Sequence, residues 1–207
     1  MEQDYEYDIF ISYRRRQPVM DWMRYHFYPM LNERLPDCLP YTPNVFIDWN
    51  IETGAEWSAE LSRALKRSRC LVAIWSAEYF RSAWCLAEWQ TMRERERILG
   101  LRSESNPAGL IYAVRFSDGK YFPQEARSIQ YRDLGKWNSK YPSLSQTTHI
   151  IDFEREMQAV CNELSSIIER CPSWQDWPVV TPQVDEQLDF KLPRMGDLII
   201  SYRGRDD

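Results

Sequence analysis

The chain of 207 residues carries 26 Lys and Arg against 31 Asp and Glu, a net charge of −5, and so lacks the phosphate-neutralising basic balance of a dedicated nucleic-acid binder. With 43% apolar and 14% aromatic residues, 9 Trp among them, it is too rich in core-forming side chains to be disordered throughout, and its length fits one domain with an appendage. Its 7 glycines assemble neither G-x-G-x-x-G nor G-x-x-x-x-G-K-S/T, which argues against Rossmann dinucleotide binding and P-loop phosphate transfer. Five cysteines without a C-x-x-C pair point to a reducing, cytoplasmic setting. Only 2 His argue against a zinc site or a histidine triad. No apolar run approaches the ~20 residues of a membrane span, and the acidic opening MEQDYEYD is unlike a signal peptide.

Short apolar runs then alternate with helical patterns. Tyr7 to Tyr13 (YDIFISY) is a run of strand formers, and Val19, Met20, Met23 and Phe27 follow at helical spacing until Pro29, expected to interrupt the helix. The segment Cys38 to Pro43 is long for a connection and is expected to cover a neighbouring surface. Asn44 to Asp48 (NVFID) reads as a second strand. Thr53-Gly54-Ala55-Glu56 then has the form of a capping box, opening a helix with Trp57, Leu61 and Leu65 on one face. Cys70 to Trp75 (CLVAIW) is apolar throughout, the pattern of a central parallel strand covered on both faces. Ser76 to Leu99 reads as helical, with Cys85, Trp89 and Met92 facing inward and Arg93-Glu94-Arg95-Glu96-Arg97 as a solvated end of alternating charge. Leu110 to Phe116 and Ser128 to Tyr131 supply fourth and fifth strands. Phe153, Met157, Val160, Cys161, Leu164, Ile167, Ile168 and Cys171 trace one face of a long last helix.

Strands alternating with helices through right-handed crossovers predict an α/β fold, a flavodoxin-like doubly wound parallel sheet of five strands in the order 2-1-3-4-5, flanked by helices. That order places a ligand crevice outside the carboxyl ends of the strands, at Ser12 to Arg14, Asp48 to Trp57 and Ser76 to Glu88. Residues 1–171 are assigned to this domain. Residues 172–196, with Pro172, Pro178, Pro182, Pro193 and two Trp, show no period and read as a linker or strap. Asp197 to Arg205 (DLIISYRGR) repeats Asp8 to Arg16 (DIFISYRRR) at six of nine positions, so residues 197–207 are expected to be the first strand of a second, truncated unit.

Trp84 and Glu88 stand at i and i+4 beside the apolar stripe of Cys85 and Trp89. A mid-helix Glu is usually a solvated surface residue. Held against an indole at a crevice, however, a carboxylate is partly desolvated and placed to stabilise developing positive charge, as the oxocarbenium-like transition state of glycosidic cleavage requires.

The segments YDIFISYR, VFIDWNIETGAEW and SAEYFRSAWCLAEWQTMRERE resemble, in order, the three signature regions of a Toll/interleukin-1 receptor (TIR) domain of the NAD-cleaving bacterial or plant type. The similarity runs from about Tyr7 to Cys171, W-C-x-x-E is its most specific part, and the tail DLIISYRGRDD resembles the opening of a plant-type TIR domain. The resemblance implies that Glu88 is the catalytic residue and that NAD+ is a substrate, with no bound cofactor and no metal. It places Phe10, Ser12, Tyr13 and Arg14 on the floor of the crevice, Arg14 near the phosphates. Asp48 would orient the loop or hold a ribose hydroxyl, Trp49 and Trp57 would stack on nicotinamide or adenine, and Ser82 and Trp84 would also contact the substrate, although Ser82 equally fits a simple cap of the helix that begins near Trp84, and Trp84 serves both packing and pocket wall. Phe10 and Trp57 also fit a purely core role, and Arg14 fits a surface salt bridge equally well. The loop Asn50 to Gly54 lacks the proline that many interaction-type TIR domains carry there. The implied activity is an NAD+ glycohydrolase or cyclase that yields ADP-ribose or a cyclic isomer, acting in immunity, including defence against phage, after self-association and under a sensor domain or partner protein. The alternative is a non-catalytic adaptor working through TIR–TIR contacts. A phosphoacceptor receiver domain using Asp48 is disfavoured, because Ser12-Tyr13-Arg14-Arg15-Arg16 stands where that family has an acidic pair.

Overall fold

The run Tyr7–Tyr13 forms strand β1, and its side chains alternate between layers, with Ile9, Ile11 and Tyr13 facing one core and Phe10 the other. The computed structural model of the chain describes residues 4–49, 55–120, 122–139, 141 and 148–182. In it β1 pairs in parallel with both β2 (Val45–Ile47) and β3 (Ser68–Trp75), while β4 (Ile111–Arg115) and β5 (Tyr131–Asp133) follow outward. The resulting order, β2-β1-β3-β4-β5, is the flavodoxin-like one expected. One face is covered by α1 (Val19–Trp22), a π-helical turn (Met23–Phe27), α2 (Tyr28–Arg34) and α6 (His149–Glu169). The other is covered by α3 (Ala55–Lys66), α4 (Ala83–Ile98) and the short α5 (Gln124–Arg127). The chain leaves β1 towards β2 and returns past it to β3, so the direction of winding reverses at β1 and a crevice opens at the carboxyl ends there.

Three sequence expectations are corrected. Pro29 does not end the first helix: the N–H of Tyr28 reaches back to the Met23 carbonyl, a π-type step, so the proline enters at the start of α2, where its missing N–H costs nothing. The fifth strand is Tyr131–Asp133 rather than Ser128 to Tyr131, because the Ile129 N–H and the Ser128 hydroxyl close the α5 turn on the Ala126 and Glu125 carbonyls. As an edge strand it is largely exposed, and its polar residues carry no apolar signal.

The third correction concerns Arg93 to Arg97, of which Arg95 and Glu96 are fully buried. Arg95 donates to the carbonyls of Leu65 and Lys66 at the end of α3 and of Ser68 at the start of β3, and burial lowers its pKa to about 10. The Glu96 carboxylate pairs with Arg93 and Arg102 at 2.9 and 2.8 Å and accepts the N–H groups of Leu110 and Ile111, fastening α4 to the start of β4. The turn that returns the chain to it runs through Gly100 at φ 63°, with Leu101 N–H on the Glu96 carbonyl, a Schellman closure. Glu96→Ala strands Arg102 and two buried N–H groups and is expected to cost about 3–5 kcal/mol, read from the urea midpoint.

The segment Cys38 to Pro43 does cover a surface: the Tyr41 hydroxyl donates to Asp8 at 2.8 Å and the Cys38 thiol to Asn162 on α6 at 3.3 Å. Residues 172–182 lie against α3 and α4 without regular structure. The proposed capping box at Thr53 to Glu56 and the repeated motif at Asp197 to Arg205 lie outside the described residues. Among the described residues no helix is long and apolar enough to cross a membrane.

Candidate active site

Three chain segments converge at the carboxyl ends of β1 to β3. Ser12, whose hydroxyl points away from the Ile11 and Tyr13 side, donates to Glu88 Oε2 at 2.5 Å. Beyond β3 a single 3-10 turn, Tyr79–Arg81, carries the Tyr79 ring back into the core, where its hydroxyl meets Ser12 Oγ at 2.8 Å. Since the Ser12 proton is engaged by Glu88, Tyr79 is the donor to Ser12, and a chain Tyr79–Ser12–Glu88 runs out of the core to the carboxylate.

Ser82 is the N-cap of α4, its Oγ accepting the Cys85 N–H at 3.4 Å. The same oxygen accepts from Arg14 Nη1 at 3.3 Å, which draws the guanidinium over the start of α4. Arg15 pairs with Asp48 at 3.1 Å, and the Tyr13 hydroxyl donates to the Asp48 carbonyl at 2.9 Å, joining the ends of β1 and β2. Between these groups lies a cavity of about 330 Å³ whose walls include Phe10, Tyr13, Arg14, Asp48, Leu61, Ser82, Trp84, Cys85 and Glu88, within the size range of small-ligand sites.

Burial dominates the electrostatics. Desolvation raises the Glu88 pKa to about 7; the Ser12 hydrogen bond and Arg15 act against it, and Asp48 adds to it. One edge of Glu88 reaches the cavity, but protein surrounds the carboxyl on its other sides. Burial also pushes the Cys85 thiol up to about 12 and the Tyr79 hydroxyl well above its ordinary value, so both remain neutral. The result is a carboxylate that titrates near neutrality, with guanidinium groups on the β1 side of the same cavity.

Of the ten residues picked from sequence, Phe10, Tyr13, Arg14, Asp48, Ser82, Trp84 and Glu88 surround this cavity, and Ser12 holds Glu88 from behind. Trp49 is placed elsewhere: its ring packs edge-on against Tyr13 and Tyr28, with Arg24 over its face at 5.6 Å. The Trp57 side chain lies outside what is described. Sequence reasoning missed Tyr79, Arg15 and Leu61. The signal for Tyr79 was its place just past a central strand's carboxyl end, and for Arg15 its adjacency to Arg14.

A larger open groove of about 680 Å³ lies between β4, β5 and α6. Its central charges neutralise one another: Arg132 pairs with Glu156 and Glu163, and Glu163 accepts the Tyr112 hydroxyl. The smaller cavity holds the perturbed carboxylate and is the better candidate for chemistry.

A flavodoxin-like sheet with a carboxylate cavity at the switch in winding defines the class. The TIR-domain family model matches residues 9–147, from β1 to just before α6, and the chain belongs to the TIR domain family. Its fold is similar to the TIR domain of the Toll-related receptor TRR-2 from Hydra magnipapillata, at 18% identity and a TM-score of 0.44 over 72% of this chain and 98% of that one. It is also similar to the TIR domains of the activated Roq1 resistosome, which directly recognises the pathogen effector XopQ, at 19% identity and a TM-score of 0.39 over 80% of this chain and 96% of that one. No curated protein matches the sequence.

Proposed function

We propose that the chain is an NAD+ glycohydrolase or cyclase with Glu88 as the catalytic carboxylate. The observation that supports this most strongly is a half-buried glutamate of raised pKa, aimed by Ser12 into a cavity that also presents Arg14 and Trp84. The cavity has room for the nicotinamide riboside end of the dinucleotide. The C–N bond to the pyridinium breaks with its electron pair passing to the ring nitrogen, so nicotinamide leaves neutral and needs no proton. The ribosyl cation left behind is stabilised by the Glu88 carboxylate in a water-poor site. Capture by water releases a proton and gives ADP-ribose; capture by an adenine nitrogen of the same molecule gives a cyclic isomer.

Arg14, fixed through one nitrogen to Ser82, has its remaining donors for a substrate phosphate. Arg14→Ala is expected to raise KM by roughly 10- to 100-fold, the worth of a charge-assisted hydrogen bond, with a smaller change in kcat. Steady-state nicotinamide release measures both.

The activity is proposed to serve immune defence in the cytoplasm, with self-association through TIR–TIR contacts and a sensor in another domain or protein. Specific activity should therefore rise with protein concentration, and equal turnover in dilute and concentrated samples would remove the requirement for assembly. Nicotinamide release by the unaltered chain and its loss in Glu88→Ala with an unchanged circular-dichroism spectrum support the enzyme. Silence of both, at high concentration and with crowding agents, leaves the adaptor reading.

A further inference from the structure

Beside Glu88 lie residues that the family match does not reach. The matched region ends at residue 147, yet residues 172–182 run along the seam between α3 and α4 and end beside the catalytic helix. Polar and aromatic contacts to α3 and α4 seat this strap. Trp174 Nε1 donates to the Lys66 carbonyl at 3.3 Å, and Asp176 pairs with Lys66 at 2.5 Å. Trp177, 2% exposed, is the principal anchor, its ring 5.1 Å from the buried Arg95 guanidinium. The Val180 N–H donates at 2.9 Å to Oγ1 of Thr91, a fully buried residue three positions beyond Glu88 and therefore on the same edge of α4.

This last bond fixes where the strap ends. Val179, Val180 and Pro182 come to lie opposite Trp84, Ala87 and Glu88 across a crevice of about 20 Å³, room for about one water. Three apolar residues from a distant part of the chain thus share a small crevice with Glu88. Desolvation is the largest influence on Glu88, and apolar side chains packed near a carboxyl act in that direction.

We propose that the strap is the rear wall of the active site, with Val179, Val180 and Pro182 as positioning residues that keep water from Glu88 and Trp177 and Thr91 as the pins that hold them there. This rests on the assignment of Glu88 above. The titratable groups that face Glu88 are Arg14, Arg15, Asp48, Tyr79 and Cys85, at the strand ends, in the 3-10 turn and on its own helix.

The test uses the full chain carrying Val179→Ser with Val180→Ser, and separately Thr91→Val, which deletes the acceptor of the Val180 N–H. Two readouts are taken: kcat and KM for nicotinamide release, and the titration midpoint of the Glu88 carboxyl followed by 13C NMR. The double variant is expected to lower kcat about tenfold with KM moving less than about threefold, and to bring the Glu88 midpoint down towards the ordinary carboxylate range. Thr91→Val should move both the same way by less. A folded double variant with an unchanged midpoint overturns the proposal, whatever happens to kcat. If the double variant does not fold, Val180→Ser alone is held to the same criterion. A chain that never releases nicotinamide refutes the enzymatic reading, and the NMR midpoint still decides the role of the strap.

Discussion

Glu88→Gln is expected to reduce nicotinamide release from NAD+ by at least about 10³-fold in kcat, the scale on which preorganised charge stabilisation acts, while raising the melting temperature at pH 8. The two effects have one origin. An ionised carboxylate in a site that disfavours charge is what a developing ribosyl cation requires, and the same carboxylate is a burden on the fold in the absence of substrate. Its pKa rises from 4.5 to about 7 on folding, a difference worth roughly 3 kcal/mol between the two protonation states. Because the folded-state value is the higher one, this contribution to stability is complete below about pH 4.5 and is lost as pH rises through about 7. The glutamine still accepts the Ser12 hydrogen bond but has no charge to desolvate, so its melting temperature should lack this decline. Chromatographic assay of nicotinamide and melting curves at pH 5 and pH 8 measure the two effects. Wild-type rates in the variant would remove Glu88 from the mechanism.

The second large effect is on the pH dependence of turnover. If the ionised form of Glu88 stabilises the cation, kcat/KM rises with pH and levels off above about 7, with activity at pH 6 about a tenth of the plateau. Ser12 holds the ionised form by donating to it at 2.5 Å, so Ser12→Ala should move the limb to higher pH. The loss is then large at pH 6.5 and mostly recovered at pH 8.5. Tyr79→Phe removes only the hydroxyl that donates to Ser12, which weakens the serine as a donor, and the limb should move the same way by less. Arg15 favours the charged form and Asp48 opposes it, so Arg15→Gln shifts the limb up and Asp48→Asn shifts it down. A rate that falls as pH rises through neutrality would mean that the protonated form acts, and would exclude electrostatic stabilisation by Glu88.

The charge run Arg93 to Arg97 shows why local reading of the helix stopped short. Alternating charges on a helix normally mark a solvated face, yet Arg95 faces carbonyls where α3 gives way to β3, Ser68 among them, and Glu96 the amides at the start of β4. Those partners are 27 and 14 positions away, so no window along the sequence contains them. The same holds for the strap. Pro172 to Pro182 has no period because it forms no regular element, and its packing depends on Trp177 finding Arg95, far off in the chain. The fifth strand was misplaced for a related reason, since an edge strand of Tyr131, Arg132 and Asp133 needs only one neighbour and no buried face.

Other parts of the site were legible. Apolar runs of strand length, separated by helical periods, determined by themselves an α/β sheet in the order 2-1-3-4-5, because crossover handedness and layer packing leave few alternatives. With that order came the position of the crevice, and with the W-C-x-x-E motif came Glu88 and Trp84. What the sequence determined, then, was which residues stand at the strand ends. Only the tertiary structure decided what each one faces: that Ser12 donates to Glu88 with Tyr79 behind it, that Trp49 packs on Tyr13 and Tyr28, and that Val179, Val180 and Pro182 line a crevice beside Glu88. The physical reason is that hydrophobic periodicity reports burial, which is a property of each residue and its neighbours along one element. The pKa of a carboxylate and the aim of its hydrogen bonds are set by groups brought together from separate elements, and folding alone joins them.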